Sequence, residues 1–302
     1  MLLSVARAPR PSPVARALSP APKPIDMPAI LLYLRALGDL LMPRECLACG
    51  RKLGMRERHL CLSCAADVPY TRNWLQPHNP LADRFNEVLE RHRGTEPMDY
   101  AYAVALMHYK GNYRSIPRAL KYHADLAAGR HFGALLGRRI AAAPHLADID
   151  LVIPVPLHWT RRRSRGYNQS EILARALAAA FPSCVRCRTD LLVRARRTRT
   201  QTRLSVDQKA RNVASAFLVP ARFPLWRRLL ARLAGRLLNL AKDASETPAT
   251  VLASARHILL VDDTYTTGAT LYACYAALRP YTTARISIAT LAAVEGTPSS
   301  GP

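Results

Sequence analysis

Short, wholly apolar runs alternate along this chain with longer stretches whose apolar residues recur every three to four positions. Residues 101–107 (Ala-Tyr-Ala-Val-Ala-Leu-Met), 151–153 (Leu-Val-Ile) and 257–261 (His-Ile-Leu-Leu-Val) are runs of the first kind. Too short for helices and lacking a polar face, they predict buried strands. Residues 116–128 and 168–181 are of the second kind, and in the latter Ile172, Leu173, Ala176 and Leu177 share one helical face. Alternation of the two predicts an α/β fold with a parallel sheet and crossover helices. Residues 73–97, with Pro77, Pro80 and Gly94, read as a connector holding one helical stretch. Residues 30–42 read as a short amphipathic helix interrupted by Arg35 and Asp39.

The run 257–261 ends in Asp262 and Asp263, then Thr264, Tyr265, Thr266, Thr267, Gly268, Ala269 and Thr270. Acids at the carboxyl end of a buried strand, followed by a turn that opens a helix, stand where open α/β sheets bind ligands. Residues 266–270 offer small side chains and successive backbone N–H groups at a helix start, which favours an anion. Two carboxylates repel a phosphate but accept hydrogen bonds from sugar hydroxyls or help place a cation. A ribose 5-phosphate satisfies both halves. The plainer alternative is an N-capped helix after a strand, with no ligand.

A second loop at a strand end, Pro154-Val155-Pro156, is followed by Arg161, Arg162, Arg163, Arg165 and Gly166. Guanidiniums concentrated there can clamp a diphosphate bidentately, and Arg165, beside Gly166, is the preferred contact. A solvated basic helix start is the alternative.

Cys46-Leu-Ala-Cys49 and Cys61-Leu-Ser-Cys64 form two Cys-x-x-Cys knuckles eleven residues apart. Four thiolates so spaced can close a tetrahedron around Zn²⁺; two disulfides are the alternative. A module of under about fifty residues is too small for a stable apolar core, so the metal would supply its folding free energy. Cys184-Val-Arg-Cys187 stands without a second pair and reads as a surface loop, while Cys274, between Leu271 and Leu278, reads as core.

At 302 residues the chain holds one ordinary α/β domain and a small extra module. Lys plus Arg number 44 against 21 Asp plus Glu, a formal net charge of +23, which attracts polyanions such as nucleic acid, nucleotides or anionic membrane surfaces. A diphosphate site accounts for part of that charge, and genomic base composition can account for more. No stretch reaches the roughly 18 apolar residues of a membrane span. Residues 1–27, rich in Pro, Ala and Arg with no acid before Asp26, do not read as a signal peptide. They read as a disordered tail, with Met27 a candidate start and the cytoplasm the expected location. Residues 194–211 read as a mobile basic flap or a nucleic-acid-facing loop. Within the insertion 219–255, Leu225, Leu229, Leu233 and Leu237 line one face of a basic amphipathic helix that could pack on its own domain, dock a partner or lie on a membrane.

The segment 257–271 resembles the type I phosphoribosyltransferases, whose phosphoribosyl pyrophosphate (PRPP) motif is an apolar strand, Asp-Asp and a Thr-Thr-Gly turn. Over 42–293 the chain is similar to the ComF family. That similarity also rests on Tyr109-Lys110-Gly111, Leu120-Lys121-Tyr122, Pro154-Val155-Pro156-Leu157-His158-Trp159, Arg165-Gly166-Tyr167-Asn168-Gln169, Thr198 with Gln201, and Arg211-Asn212-Val213 before Phe217. Thr264 departs from it, standing where an aliphatic residue is more usual.

The resemblance implies a phosphoribosyltransferase-like parallel sheet with flanking helices (73–302, carrying the 219–255 insertion), preceded by a helix and a four-cysteine zinc ribbon (28–72). It implies PRPP bound with Mg²⁺, with Asp262 and Asp263 fixing the ribose. Thr264, Tyr265, Thr266, Thr267, Gly268, Ala269 and Thr270 would contact its 5-phosphate side, and Pro154, Val155, Pro156 and Arg165 its diphosphate. As an enzyme, the chain would release pyrophosphate as a nitrogen nucleophile attacks C1 of the ribose. ComF proteins are linked to DNA uptake in bacterial competence. The second reading is therefore a non-catalytic module that binds single-stranded DNA or a DNA-uptake helicase and keeps a relic PRPP pocket.

Overall fold

The structure is a computed structural model, and it describes residues 43–92, 99–122, 124–195, 216–223 and 246–295. The expected tail (1–27), the helix at 30–42, the flap residues Thr198 and Gln201, the Arg211-Asn212-Val213 segment and the 224–245 part of the insertion lie outside them. Described residues from Glu45 onward belong to one compact unit.

The elements are α1 (Leu62–Ala66), α2 (Pro80–Arg91), β1 (Ala103–His108), α3 (Ser115–Tyr122), α4 (Leu126–Ala141), β2 (Leu151–Pro154), α5 (Trp159–Arg165), α6 (Gln169–Ala178), β3 (Arg186–Cys187), β4 (Val193–Arg194), β5 (Phe217–Leu218), α7 (Pro248–Ala253), β6 (His257–Tyr265), α8 (Ala269–Leu278) and β7 (Arg285–Ala293). Five strands form one parallel sheet in the order β1-β7-β6-β2-β3, and β4 with β5 makes a separate antiparallel pair.

Strand residues alternate between two apolar layers, as the period of two requires. Val104, Leu106, Val152, Leu259, Val261 and Leu291 face α3, α4 and α6, where Leu120, Phe132, Leu136, Ile140, Leu173 and Leu177 are buried. Ala103, Ala105, Leu151, Ile153, Ile258, Leu260, Ile286 and Ile288 face the other side, against Phe85 of α2, Val251 and Leu252 of α7 and Leu271 and Tyr275 of α8. Burying each large side chain contributes about 1.5–3 kcal/mol, so the doubly covered sheet is the source of stability. On α4, a Cβ at Gly133 would stand 2.7 Å from the Leu173 carbonyl oxygen, so only glycine lets α4 approach α6 this closely.

The stretch expected as one helix over 116–128 is two helices. Ala124 turns the chain with φ 51°, and the Asp125 carboxylate caps α4 by accepting from the Ala128 N–H at 2.9 Å. A capping acid within a periodic stretch restarts the helix there. β2 runs through Pro154, with no break before it, and Cys187 lies on the edge strand β3 while Cys184 is exposed. Cys274 is fully buried on α8, as its apolar neighbours predict. β7 falls outside the apolar runs named above because Ser287 and Thr290 interrupt it; both are buried.

The cysteine module docks on the helical layer through Leu47 and Leu60, and the Tyr113 hydroxyl donates to the Cys64 carbonyl at 2.9 Å. The chain then covers the free edge of β1: His108 N–H donates to the Pro69 carbonyl at 2.9 Å and Thr71 N–H to that of Leu106 at 3.3 Å.

Candidate functional site

The thiols of Cys46, Cys49, Cys61 and Cys64 lie within 4.8 Å of one another. Cys49 Sγ and Cys61 Sγ are 3.8 Å apart, which matches the spacing of about 3.8 Å between sulfurs that each stand about 2.3 Å from a tetrahedral Zn²⁺. No cysteine among the described residues is in a disulfide. The Cys46 sulfur accepts from the Cys61 N–H at 3.3 Å. Burial opposes its ionisation, but backbone amides of Cys61, Cys49 and Ala48 outweigh burial and bring the thiol down to about 6. The donor set is four soft ligands, one pair on a turn and the other at the start of α1, compatible with a zinc ribbon.

The acid pair lies in the last part of β6, which does not end at the acids: it runs on because Thr264 and Tyr265 still pair with Ala292 and Ala293 of β7. β2 ends alongside, and the Val155 N–H donates to the Val261 carbonyl at 2.9 Å and continues the ladder past Pro154. Asp263 is buried, and Lys121 Nζ, from the last turn of α3, meets its Oδ2 at 2.6 Å. Thr264 Oγ1 donates to the same oxygen at 3.0 Å. Burial works against the Lys121 ammonium, but the Asp263 charge and hydrogen bond outweigh it and raise its pKa.

Asp262 accepts from Ser170 Oγ at 2.8 Å and from the Asp263 N–H at 2.9 Å. Burial, then the neighbouring Asp263 charge, push its carboxyl up to about 7. Ser170 is held in place by the start of α6: Asn168 caps the Ser170 N–H at 3.1 Å and donates its own amide to the Val155 carbonyl at 3.0 Å. Segments around 121, 155, 168–170 and 262 therefore meet at one point.

Beyond the acids the backbone turns through Thr266 and Thr267 into Gly268, whose φ of 78° is left-handed and suits only glycine. A Cβ there would also stand 2.7 Å from the Tyr265 hydroxyl. Among the described residues the N–H groups of Thr266, Thr267 and Gly268 donate to no acceptor, and they precede the ten-residue helix α8. Arg84 of α2 fastens this turn from outside. Its guanidinium donates to the Val294 carbonyl at 2.8 Å and the Thr266 carbonyl at 3.1 Å, and lies 5.3 Å from the Tyr265 ring centroid. The Tyr265 ring is buried beneath it, while Ala269 and Thr270 are half-buried at the helix start.

Arg161, Arg162 and Arg163 are exposed on α5, and Arg162 reaches Glu171 at 3.6 Å. Arg165 Nη1 donates to Gln169 Oε1 at 3.3 Å. Arg194 of β4 lies in the field of Arg161 and Asp262; burial, then Arg161, lower its pKa.

The structure thus joins Asp262, Asp263, the 266–270 turn and the Pro154-Val155-Pro156 loop, and adds Lys121, Ser170 and Arg84. Lys121 carried a signal as part of the Leu120-Lys121-Tyr122 segment on which the resemblance rests. Ser170 and Arg84 carried none. Such a point has acceptors for hydroxyl groups on one side and free amide donors for an anion on the other. No helix among the described residues is long and apolar enough to cross a membrane.

No family model matches the sequence. A solved structure, TT1426 from Thermus thermophilus, aligns with 58% of this chain and 85% of that one at 16% identity and a TM-score of 0.26. Competence protein F of Haemophilus influenzae is 24% identical over 235 residues, which cover 75% of this chain and 87% of that protein. The chain is therefore a parallel α/β sheet with a four-cysteine cluster, similar over most of its length to a competence protein.

Proposed function

We propose that the carboxyl end of β6 binds PRPP or a related ribose phosphate, in a role connected with competence and DNA uptake. The observation that carries this reading is the pairing of unsatisfied amides at 266–268 with two carboxylates on the same strand end. The amides and the start of α8 would hold the 5-phosphate. Asp262 and Asp263 would take the ribose hydroxyls, with Lys121 neutralising one charge so that an anionic ligand can approach. Asp262, titrating at about 7, can accept from or donate to a hydroxyl near neutral pH. Similarity to Competence protein F supports the competence-related setting.

Zn²⁺ would be held by Cys46, Cys49, Cys61 and Cys64, where it would stabilise the fold. Among the described residues these thiols are the one group of three or more side chains able to hold a metal. Ser170 engages Asp262 Oδ1 while Lys121 and Thr264 engage Asp263 Oδ2; the other oxygen of each acid would take a ribose hydroxyl, and Mg²⁺, with no cage of protein ligands, would arrive on a diphosphate.

Calorimetric titration of the full chain with ribose 5-phosphate, and with PRPP plus Mg²⁺, tests the reading. Binding is expected, Asp263→Asn should weaken it by about tenfold or more, and bound zinc should stay unchanged. No binding, or unchanged affinity in Asp263→Asn, would show the assignment wrong. Pyrophosphate release in the presence of candidate bases separates an enzyme from a binding module.

The exposed arginines of α5 and the net charge of +23 favour a second reading, a binder of single-stranded DNA or of a DNA-uptake helicase. Its affinity for single-stranded DNA should fall steeply with salt, and a flat response rejects it.

A further inference from the structure

Across a trans peptide the carbonyl and the following N–H point opposite ways, and no peptide among the described residues is cis. The Tyr265 carbonyl accepts from the Val294 N–H at 2.9 Å, on the β7 side of β6, so the Thr266 N–H points to the opposite side, where β2 ends. Among the described residues the next peptide has no ladder bond to β7, and Arg84 takes that place. Its Nη2 donates to the Thr266 carbonyl at 3.1 Å and its Nη1 to the Val294 carbonyl at 2.8 Å, while the guanidinium lies 5.3 Å from the Tyr265 ring centroid. With that carbonyl held, the 266–267 peptide turns the Thr267 N–H away from Arg84, and among the described residues this N–H donates to no acceptor.

The helix that carries Arg84 is held without it. Leu81, Phe85 and Leu89 of α2 are buried, and Asn86 bonds the Ala101 backbone twice, donating to its carbonyl and accepting from its N–H, each at 2.9 Å. Asn79, which caps α2, donates to the Ala103 carbonyl at 3.2 Å. A half-buried arginine on a helix so fixed is a rigid arm. Its planar fork matches two carbonyls on neighbouring strand ends, which the single ammonium of a lysine does not.

We propose that Arg84 is a positioning residue for the anion: by fastening the Thr266 and Val294 carbonyls it aims the Thr267 N–H at the 5-phosphate of the ligand. This rests on the sugar-phosphate reading above. Arg84 acts through the direction it gives the peptide, and its charge is secondary.

The test is calorimetric titration of the full chain with ribose 5-phosphate for the native chain, Arg84→Lys and Arg84→Met, at low and at high salt. The amide proton of Thr267 is followed by NMR at saturating ligand. Native affinity should exceed that of both variants by about tenfold, the effect of one hydrogen bond to a charged acceptor. The ratio should be the same at both salt concentrations, because a misdirected amide is not screened as a charge is. Ribose 5-phosphate should move the Thr267 proton downfield in the native chain and leave it in place in Arg84→Lys, a difference that a general loosening of α2 would not produce. If Arg84→Lys binds like the native chain, if the loss in Arg84→Met fades with salt, or if the Thr267 proton shifts equally in Arg84→Lys, the positioning role is refuted while sugar-phosphate binding stands. If the native chain does not bind ribose 5-phosphate, both fall together.

Discussion

The two ends of β6 each place an acid beside a basic partner, but only one end is left with groups to offer a ligand. At the start of the strand His257 is fully buried, with Nδ1 2.6 Å from Asp148 and Nε2 2.8 Å from Ser287 Oγ. The network is consistent with Nδ1–H donating to the carboxylate and Nε2 accepting the serine hydroxyl, while Ser287 accepts from the Tyr102 N–H at 3.2 Å. Both ring nitrogens of His257 and the Ser287 hydroxyl are taken, and the serine at the end of these contacts is buried. A Ser-His-Asp order alone is therefore no nucleophilic site; this one locks the sheet. At the other end Lys121 and Ser170 engage the acids, but the amides of 266–268 remain unspent. Saturation separates this structural cluster from the proposed ligand site.

The most forceful way to break the comparison is Lys121→Met. It leaves the buried Asp263 carboxylate without its cation, and the loss should be about 3 kcal/mol by chemical denaturation, the low end for a broken buried pair because Lys121 is 29% exposed. Adding Asp263→Asn should recover much of the stability without restoring ribose 5-phosphate affinity. If Lys121→Met is neutral, the acid pair is not under the electrostatic load described.

His257→Leu removes the partner of a buried hydroxyl and should cost about 1–3 kcal/mol, with ribose 5-phosphate affinity unchanged. A matching loss of affinity would mean that the two ends are coupled. Gly268→Ala forces an L residue to φ 78° and sets its Cβ against Tyr265, so about 1–2 kcal/mol of stability should go, together with phosphate binding.

The smallest effect is in pH, where the two ends should slope in opposite directions. Asp262 is raised from an ordinary 3.8 to about 7, first by burial and then by Asp263, so the folded chain binds the extra proton between those values. Its contribution is full below about pH 4 and is lost as pH rises through about 7. His257 is lowered from 6.5, first by burial and then by Arg285, against the pull of Asp148 and Asp150. Its contribution is full above 6.5 and is lost as pH falls below it. Below about pH 7 the stability curves of Asp262→Asn and His257→Gln should depart from the native chain with slopes of opposite sign; parallel curves would remove the distinction.

Much of this arrangement is legible in local pattern. The strands 151–153 and 257–261 announce themselves because a doubly covered strand has no polar face. The four thiols do so because a tight turn needs only two residues between ligands. β7 is harder to see, since Ser287 breaks its apolar run, and that serine is buried only because His257 and Tyr102 meet it across the sheet. The split of 116–128 into α3 and α4 lay in Asp125, a cap hidden inside a helical period.

From residue order alone come the apolar run that leads into Asp262 and Asp263, the glycine turn beyond them and the paired Cys-x-x-Cys knuckles, all set by neighbours within a few positions. Folding alone brings Ser170 to Asp262 across 92 residues, Arg84 to Thr266 across 182, and Lys121 to Asp263. Contacts of that separation leave no periodicity in the chain; they exist because α3 and the start of α6 on one face of the sheet and α2 on the other are packed against the same strand end.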